Sequence, residues 1–215
     1  MKKLCLLVTA IFFLSFSVTQ AQFGIRKGTI ITGMTSTINM GGSWGSELMS
    51  IGFLSSNNDY KERIFNVMPS GGYFIIDNLA VIVKGLYSSY AEESKLSDES
   101  YSQRMWGIGP FTRYYLNLGS IFVIMEGGVI IARDKDTYSY TGDDFEDIYN
   151  GMIIEILGGV SKQINQVISL DAQLGYSRAA WTPKDGVDEI GKDVCQGLIA
   201  KVGFTVYLDL SPIRE

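Results

Sequence analysis

In the last β-prone segment of the chain, every second residue is apolar. The residues between them are mostly small, polar, charged or aromatic, and we call the face that they form the mixed face. The apolar set runs from Leu198 to Leu208 at even positions, whereas Lys201 and Thr205 lie at odd positions between them. Successive side chains of a strand point to opposite faces of a sheet, so this period of two predicts a strand with one apolar face. A sheet of such strands must shield one whole face from water.

Eight segments rich in Ile, Val, Tyr, Phe and Thr are predicted strands, and their connections have two different lengths. The segments cover 28–40, 62–75, 79–90, 103–116, 120–133, 150–162, 167–180 and 196–209. Tight connections (76–78, 117–119, 163–166) alternate with long polar ones (41–61, 91–102, 134–149, 181–194). This is the layout of an outer-membrane barrel with long loops outside the cell, and an even strand number then leaves both termini periplasmic.

Spanning by helices does not fit the rest of the chain. The best apolar stretch, 121–132, is shorter than the roughly 18 residues that a helix needs and contains Glu126. A closed barrel is the other structure that satisfies every backbone group in lipid. The sequence therefore predicts an all-β fold, an eight-stranded antiparallel transmembrane up-and-down β-barrel.

The composition of the mixed face indicates which side of the barrel meets lipid. A soluble exterior is roughly 25 to 35% charged, whereas this face is dominated by Gly, Ser, Gln, Tyr and Phe and has about one charge per strand. We therefore expect the apolar face to point outward and the mixed face to fill the narrow lumen. The faces of segment 28–40 stay unassigned.

Aromatic residues concentrate near both ends of the predicted strands. Because amphipathic rings favour the headgroup level, two interfacial belts are predicted. The belt by the tight turns consists of Tyr73, Tyr114, Tyr115, Phe122 and Tyr207. The belt by the long connections consists of Tyr87, Tyr90, Trp106, Tyr176 and Trp181.

The N-terminus has the pattern of a secretory signal. Lys2 and Lys3 precede the apolar stretch 4–18, and small residues stand at the −3 and −1 positions of a cleavage site in Thr19-Gln20-Ala21. We expect residues 1–21 to be cleaved and 22–215 to form the barrel domain. The mature chain then has one cysteine, Cys195, and cannot form an internal disulfide.

Two related segments resemble a known family. Residues 65–74 (FNVMPSGGYF), followed by 77–81 (DNLAV), resemble a hairpin of the outer membrane protein beta-barrel domain family, which is related to the OmpA and OmpW barrels. Residues 107–115 (GIGPFTRYY) repeat its Pro-x-x-x-Tyr-aromatic pattern. The resemblance covers nearly all of 22–215. It implies the barrel fold and an outer-membrane location, and says little about activity.

The end of the last segment resembles the C-terminal signal that the barrel assembly machinery reads. The residues concerned are Lys201, Gly203, Val206 and Leu208. The resemblance implies the assembly machinery as a partner during biogenesis. The chain departs from the pattern because residues 211–215 (SPIRE) follow the strand where such barrels often end on an aromatic residue.

Six charged residues are predicted to point into the lumen. Their odd or even positions within the predicted strands put all six on the mixed face. Three are cations, Lys84, Arg113 and Lys201, and three are anions, Glu126, Glu155 and Asp171. An unpaired ion in a narrow, poorly hydrated interior is costly, so these groups should pair and brace the strands. We expect a plugged structural core, and a polar conduit is the alternative.

Catalysis, metal binding and nucleic-acid binding find no support. The chain has no histidine, so a serine–histidine mechanism is absent, and we expect neither an enzyme nor a cofactor. Its net charge of −5 disfavours nucleic acid.

The acidic run Asp143–Asp147 is predicted to be a solvated part of the third long loop. Ca²⁺ binding by this run is the alternative. The spacing of its carboxylates does not match an EF-hand, so no metal ligands are assigned.

Three roles are compatible with these patterns. The first is a structural or surface-interaction protein, embedded in outer-membrane lipid and presenting four long loops to an unknown partner. The second is passive transport of a small solute, for example an apolar one. The third is a soluble periplasmic ligand-binding barrel.

Overall fold

A computed structural model describes residues 25–42, 53–56, 60–95, 99–119, 121–140, 143–184 and 193–208. The predicted signal peptide 1–21 and the C-terminal residues 211–215 lie outside this part. The described residues form nine strands: β1 (Ile30–Gly42), β2 (Phe53–Ser56), β3 (Tyr60–Ile76), β4 (Leu79–Ser94), β5 (Ser100–Asn117), β6 (Ile121–Tyr140), β7 (Asp143–Gln163), β8 (Ile168–Pro183) and β9 (Asp193–Leu208).

Eight of these strands close into a barrel. From β3 to β9 each strand pairs antiparallel with the next, and β1 pairs with both β9 and β3. The short β2 is an addition, paired with the outer part of β3 through Phe53 and Ile64. The eight-stranded antiparallel barrel predicted from the sequence is confirmed. Within the described residues, no helix is long and apolar enough to cross a membrane.

The tight turns lie at one end of the barrel, together with the start of β1. Asp77 and Asn78 join β3 to β4, and Asn78 has a φ of 67°, a left-handed conformation that asparagine tolerates. The segment before β1 covers this turn, since the Lys27 amide donates to Asp77 Oδ1 at 2.8 Å. The long connections are therefore at the opposite end.

Between its two rims the outer wall of the barrel is apolar, and the lumen holds a set of buried charged residues, as the composition of the mixed face predicts. Ile131, Ile156 and Leu198 point outward and are 70%, 68% and 63% exposed. The first strand, whose faces the sequence left open, directs Ile31 and Thr35 inward. A contiguous apolar exterior of this kind is not stable in water, because monomeric soluble proteins rarely expose apolar patches larger than a few hundred Å².

Several strands continue further than predicted. β4 and β5 extend to Ser94 and Ser100, so most of the expected loop 91–102 is strand. The expected loop 134–149 is likewise almost entirely β6 and β7, and Asp143–Asp147 opens β7. The prediction of an acidic loop is therefore wrong. Aspartate and glutamate have a low β-propensity, but pairing with β6 satisfies the backbone hydrogen bonds of this run. Strand geometry also directs alternate carboxylates to opposite faces. The tertiary pairing therefore outweighs the local preference.

Half of the residues assigned to the aromatic belts face inward. Tyr73, Tyr114, Tyr87, Trp106 and Tyr176 are 39 to 55% exposed on the outer wall. The others are buried in the lumen: Tyr115, Phe122, Tyr207, Tyr90 and Trp181. Parity is the physical reason, since neighbours such as Tyr114 and Tyr115 must point to opposite faces.

Candidate functional site: the lumen ion-pair network

Arg113 on β5 is the centre of a buried network that crosses the lumen. Its Nε donates to Glu126 Oε2 at 2.6 Å, and its Nη1 donates to Asp171 Oδ2 at 2.9 Å. Nη1 also lies 3.2 Å from the hydroxyl oxygens of Tyr115 and Thr205. The planar guanidinium thus joins β5 to β6 on one side and to β8 and β9 on the other. The compact ammonium group of a lysine could not bridge these strands as effectively, because it lacks the spread of donors of an arginine.

Glu126 also accepts from Lys84 on β4, so one carboxylate holds two cations. The Lys84 and Glu126 side chains are completely buried. The Lys84 ammonium further lies 4.6 Å from the centre of the Phe111 ring, where the face of the ring attracts a cation. This end of the network is therefore enclosed by β4, β5 and β6.

Lys201 on β9 and Glu155 on β7 form a separate pair. The Lys201 Nζ lies 2.5 Å from Glu155 Oε2 and 3.2 Å from the Met68 sulfur on β3. All six charged residues assigned to the lumen by parity lie on its inner face, and each takes part in an ion pair. The three positive and three negative charges balance.

Hydroxyl groups complete the network around Asp171. Ser161 and Thr205 each donate to this carboxylate at 2.6 Å, and Ser169 lies 3.2 Å from it. Sequence reasoning did not single these residues out. Their odd or even position places them on the inner face of β7, β8 and β9, and this was the available signal. Serine and threonine are common in strands, however, and position alone does not show which hydroxyl groups bind a carboxylate.

An aromatic floor closes the tight-turn end of the lumen below the ions. The Tyr115 ring packs against Phe74, Phe122 and Tyr207 with centroid separations of 5.5 to 6.2 Å. All four residues are at most 2% exposed, and Ile25, just before β1, belongs to the same apolar cluster. Rings in tilted and edge-on contact fill a barrel of this width well.

Beyond the ions, toward the long connections, the lumen is lined by a layer of apolar side chains and by buried polar ones, among them Asn66, Ser88 and Asp134. Leu86, Ile130, Ile153, Ala179 and Trp181 are buried in the same core cluster. A cavity of about 20 Å³ lies between this layer and Glu155. That volume holds about one water molecule.

The residues of the predicted assembly signal divide between the two faces of β9. Lys201 is buried in the lumen, and Gly203 shares its parity. Leu208 is 44% exposed on the outer wall, and Val206 has the same parity as Leu208. Cys195 lies in β9, where it packs against the apolar core, and it forms no disulfide. The described residues contain no group of three or more potential metal ligands.

The fold and the distribution of charge define the class of this protein. It is an eight-stranded antiparallel barrel with an apolar outer belt, flanked by exposed aromatic residues, and with paired charges on the inner face of its strands, the construction of outer-membrane barrels. No family model and no curated protein matches the chain.

Several solved structures have a similar architecture. The N-terminal β-barrel domain of Pseudomonas aeruginosa OprF is 9% identical, with 85% of this chain and 99% of that chain covered and a TM-score of 0.43. Ail, the attachment invasion locus protein of Yersinia pestis, is 11% identical (86% and 99% covered, TM-score 0.48). Neisserial surface protein A is 15% identical (85% and 96% covered, TM-score 0.42).

Proposed function

We propose that this protein is an integral barrel of the bacterial outer membrane with a plugged lumen, and that its role is structural or surface-interactive. The observation that carries the proposal is the inverted distribution of side chains: apolar residues outside and six paired ions inside. A soluble ligand-binding barrel would carry the opposite arrangement. Its interior would be an apolar cavity and its exterior would be rich in charge.

Membrane insertion is tested by fractionation of the expressed full-length chain. We expect recovery with the outer membrane, extraction only by detergent, and flotation of the purified barrel with lipid vesicles. Recovery of folded protein in the soluble fraction without detergent would contradict the proposal. Protease accessibility of tags inserted in 185–192 and at the C-terminus tests the orientation, with the former expected outside and the latter periplasmic.

The plugged lumen is supported by three successive layers of side chains. The aromatic floor, the ion-pair network and the apolar layer below Trp181 each cross the interior, and the cavity between the last two is only about 20 Å³. Moving ions through this path would require breaking pairs such as Arg113–Asp171. Planar-bilayer recording tests the plug: we expect no steady conductance, and large, stable single-channel events from pure protein would favour solute transport.

Surface interaction is supported by the wall that β5, β6 and β7 build beyond the apolar belt. At the end of this wall Tyr138 pairs with Phe145 across β6 and β7, on the strand faces that continue the lumen, and both rings are exposed (43% and 61%), as is Tyr140 (57%). Exposed aromatic rings on paired strands are typical of contact surfaces, because they supply a large contact area at low entropic cost. The rings therefore mark this hairpin as the place to test.

The interaction role can be separated from transport by shortening this hairpin. Replacing residues 137–146 with an Asn-Gly turn removes the exposed rings and leaves the lumen layers intact. Adhesion of cells displaying the shortened protein to host-cell or bacterial surfaces should fall, while solute uptake should stay unchanged. Unchanged adhesion, with the shortened barrel still present at the surface, would contradict the interaction role of this hairpin.

A further inference from the structure

We propose that the outer wall of β5 and β6 binds the phosphate of an anionic lipid headgroup through Arg104, Arg133 and Lys135, the basic patch. The inference rests on the proposed membrane location and extends it to a specific lipid contact. It depends on the register of two strands, on the partners of the three cations and on their position relative to the apolar belt.

The register of β5 and β6 places the three cations side by side. Arg104 is directly opposite Lys135, and Arg133 is directly opposite Trp106, so that Arg104 and Arg133 are diagonal neighbours. All four side chains share the outward face. Like charges directly opposite each other destabilise a sheet, and diagonal neighbours remain within reach of long side chains. A bound anion would remove this repulsion.

Acidic partners in the structure do not neutralise the patch. Lys135 Nζ lies 2.7 Å from Glu146 Oε1, and both side chains are about half exposed. Among the described residues, Arg104 and Arg133 form no salt bridge. The patch therefore retains an excess of positive charge on a protein whose net charge is −5.

A second pair of cations on the outer wall provides a contrast. On β3, Lys61 and Arg63 both pair with Glu93 of β4. Arg63 and Arg104 lie on the two strands that flank β4, at the same rim of the barrel. Among the residues that the structure describes, the arginine on one side of β4 thus has a carboxylate partner and the arginine on the other side has none.

The basic patch stands where lipid phosphates would be. Ile108 and Ile131 are paired below it and are 60% and 70% exposed, typical of contact with acyl chains. The next pair toward the rim contains Trp106, 55% exposed, whose ring suits the interface. Arg133 is the other member of this pair, and Arg104 and Lys135 form the next outward-facing pair. Guanidinium groups bind phosphate oxygens in a bidentate manner, so a phosphorylated headgroup between Arg104 and Arg133 fits this order.

The experiment uses Trp106 as a reporter in vesicles of phosphatidylcholine with a minor fraction of phosphatidylglycerol. Bromine atoms on the acyl chains of either lipid quench nearby tryptophan fluorescence. When either brominated lipid is present at the same mole fraction, we expect brominated phosphatidylglycerol to quench Trp106 more than brominated phosphatidylcholine does. The expected enrichment of phosphatidylglycerol beside Trp106 is about fivefold for each arginine. The W106F variant measures the background from the other tryptophans.

Variants with matched charge changes decide the assignment. R104Q/R133Q should lose the preference for phosphatidylglycerol, whereas K61Q/R63Q, which also removes two positive charges from the outer wall, should retain it. Equal quenching by both lipids in the unmodified protein would overturn the proposal, as would a preference that survives in R104Q/R133Q.

Two further arms keep the outcomes distinct. If inorganic phosphate at no more than the headgroup concentration and at constant ionic strength abolishes the preference, the patch is a site for free phosphate and the lipid assignment is wrong; an unchanged preference supports the lipid. Vesicle flotation is measured on every sample. A protein that does not float contradicts the membrane location itself, whereas a protein that floats without lipid preference contradicts only the basic patch.

Discussion

Arg113 and Asp171 lie 58 residues apart in the sequence and are joined by a buried hydrogen-bonded ion pair of 2.9 Å between β5 and β8. Two strands separate β5 from β8 along the wall. The pair therefore links parts of the barrel that share no backbone hydrogen bonds, and it acts as a strut across the interior. Its energetic weight can be measured by removing one partner.

Replacing Arg113 with methionine should destabilise the barrel strongly. The variant leaves Glu126 with Lys84 alone and Asp171 with hydroxyl partners only, and removing one partner of a buried pair costs about 3 to 5 kcal/mol. Urea unfolding in lipid vesicles, followed by tryptophan fluorescence, measures the change. R63Q, which breaks an exposed pair with Glu93, should cost at most about 1 kcal/mol. Equal losses in the two variants would refute a special role for the buried network.

Lys201 and Glu155 should be energetically coupled. K201M leaves a buried carboxylate without its cation, whereas the double variant K201M/E155Q also removes the negative charge. We expect the double variant to be more stable than K201M, with a coupling energy of about 0.5 to 3 kcal/mol in a double-mutant cycle. Additive effects would mean that the two charges do not interact in the folded barrel.

A charge on the outer wall should be tolerated only near the rim. Ile156 lies on the exposed apolar wall of β7, and I156R should cost about 2 to 4 kcal/mol, as arginine does at the bilayer midplane. Thr182 lies on the outer face of β8 near the long connections, and T182R should cost at most about 1 kcal/mol. The free energy of unfolding in vesicles measures both. Similar costs at the two positions would contradict a lipid-facing belt.

Two glycines of β7 should respond differently to alanine. A Cβ on Gly151 would meet the ring of Trp181, its cross-strand partner, whereas a Cβ on Gly158 would have no atom within 4 Å. G151A should therefore cost about 1 to 3 kcal/mol and change the Trp181 emission. G158A should be neutral or slightly stabilising, because it reduces the freedom of the unfolded chain. Urea midpoints of the two variants provide the comparison, and an unperturbed G151A would show that the ring can move at no cost.

The main features of the fold could be predicted from local patterns. Alternation in β8 and β9 indicated strand type and faces, because side-chain direction in a strand depends only on odd or even position. The same parity assigned Lys84, Arg113 and Lys201 to the inner face, where they lie. Parity was also available for Tyr115 and Tyr207, but grouping aromatic residues by their distance from the turns ignored it and misplaced these rings.

The amino-acid sequence alone determined the eight strands, their antiparallel order and the apolar outer wall, since each follows from periodicity and connection length. Tertiary structure alone decided that Arg113 reaches Asp171, that Lys201 reaches Glu155, and that β6 and β7 continue pairing through Asp143–Asp147. These contacts depend on the register of every strand around the closed barrel, which no single segment encodes. Closure of the barrel sets that register, and with it the side chains that meet in the lumen and at the rim.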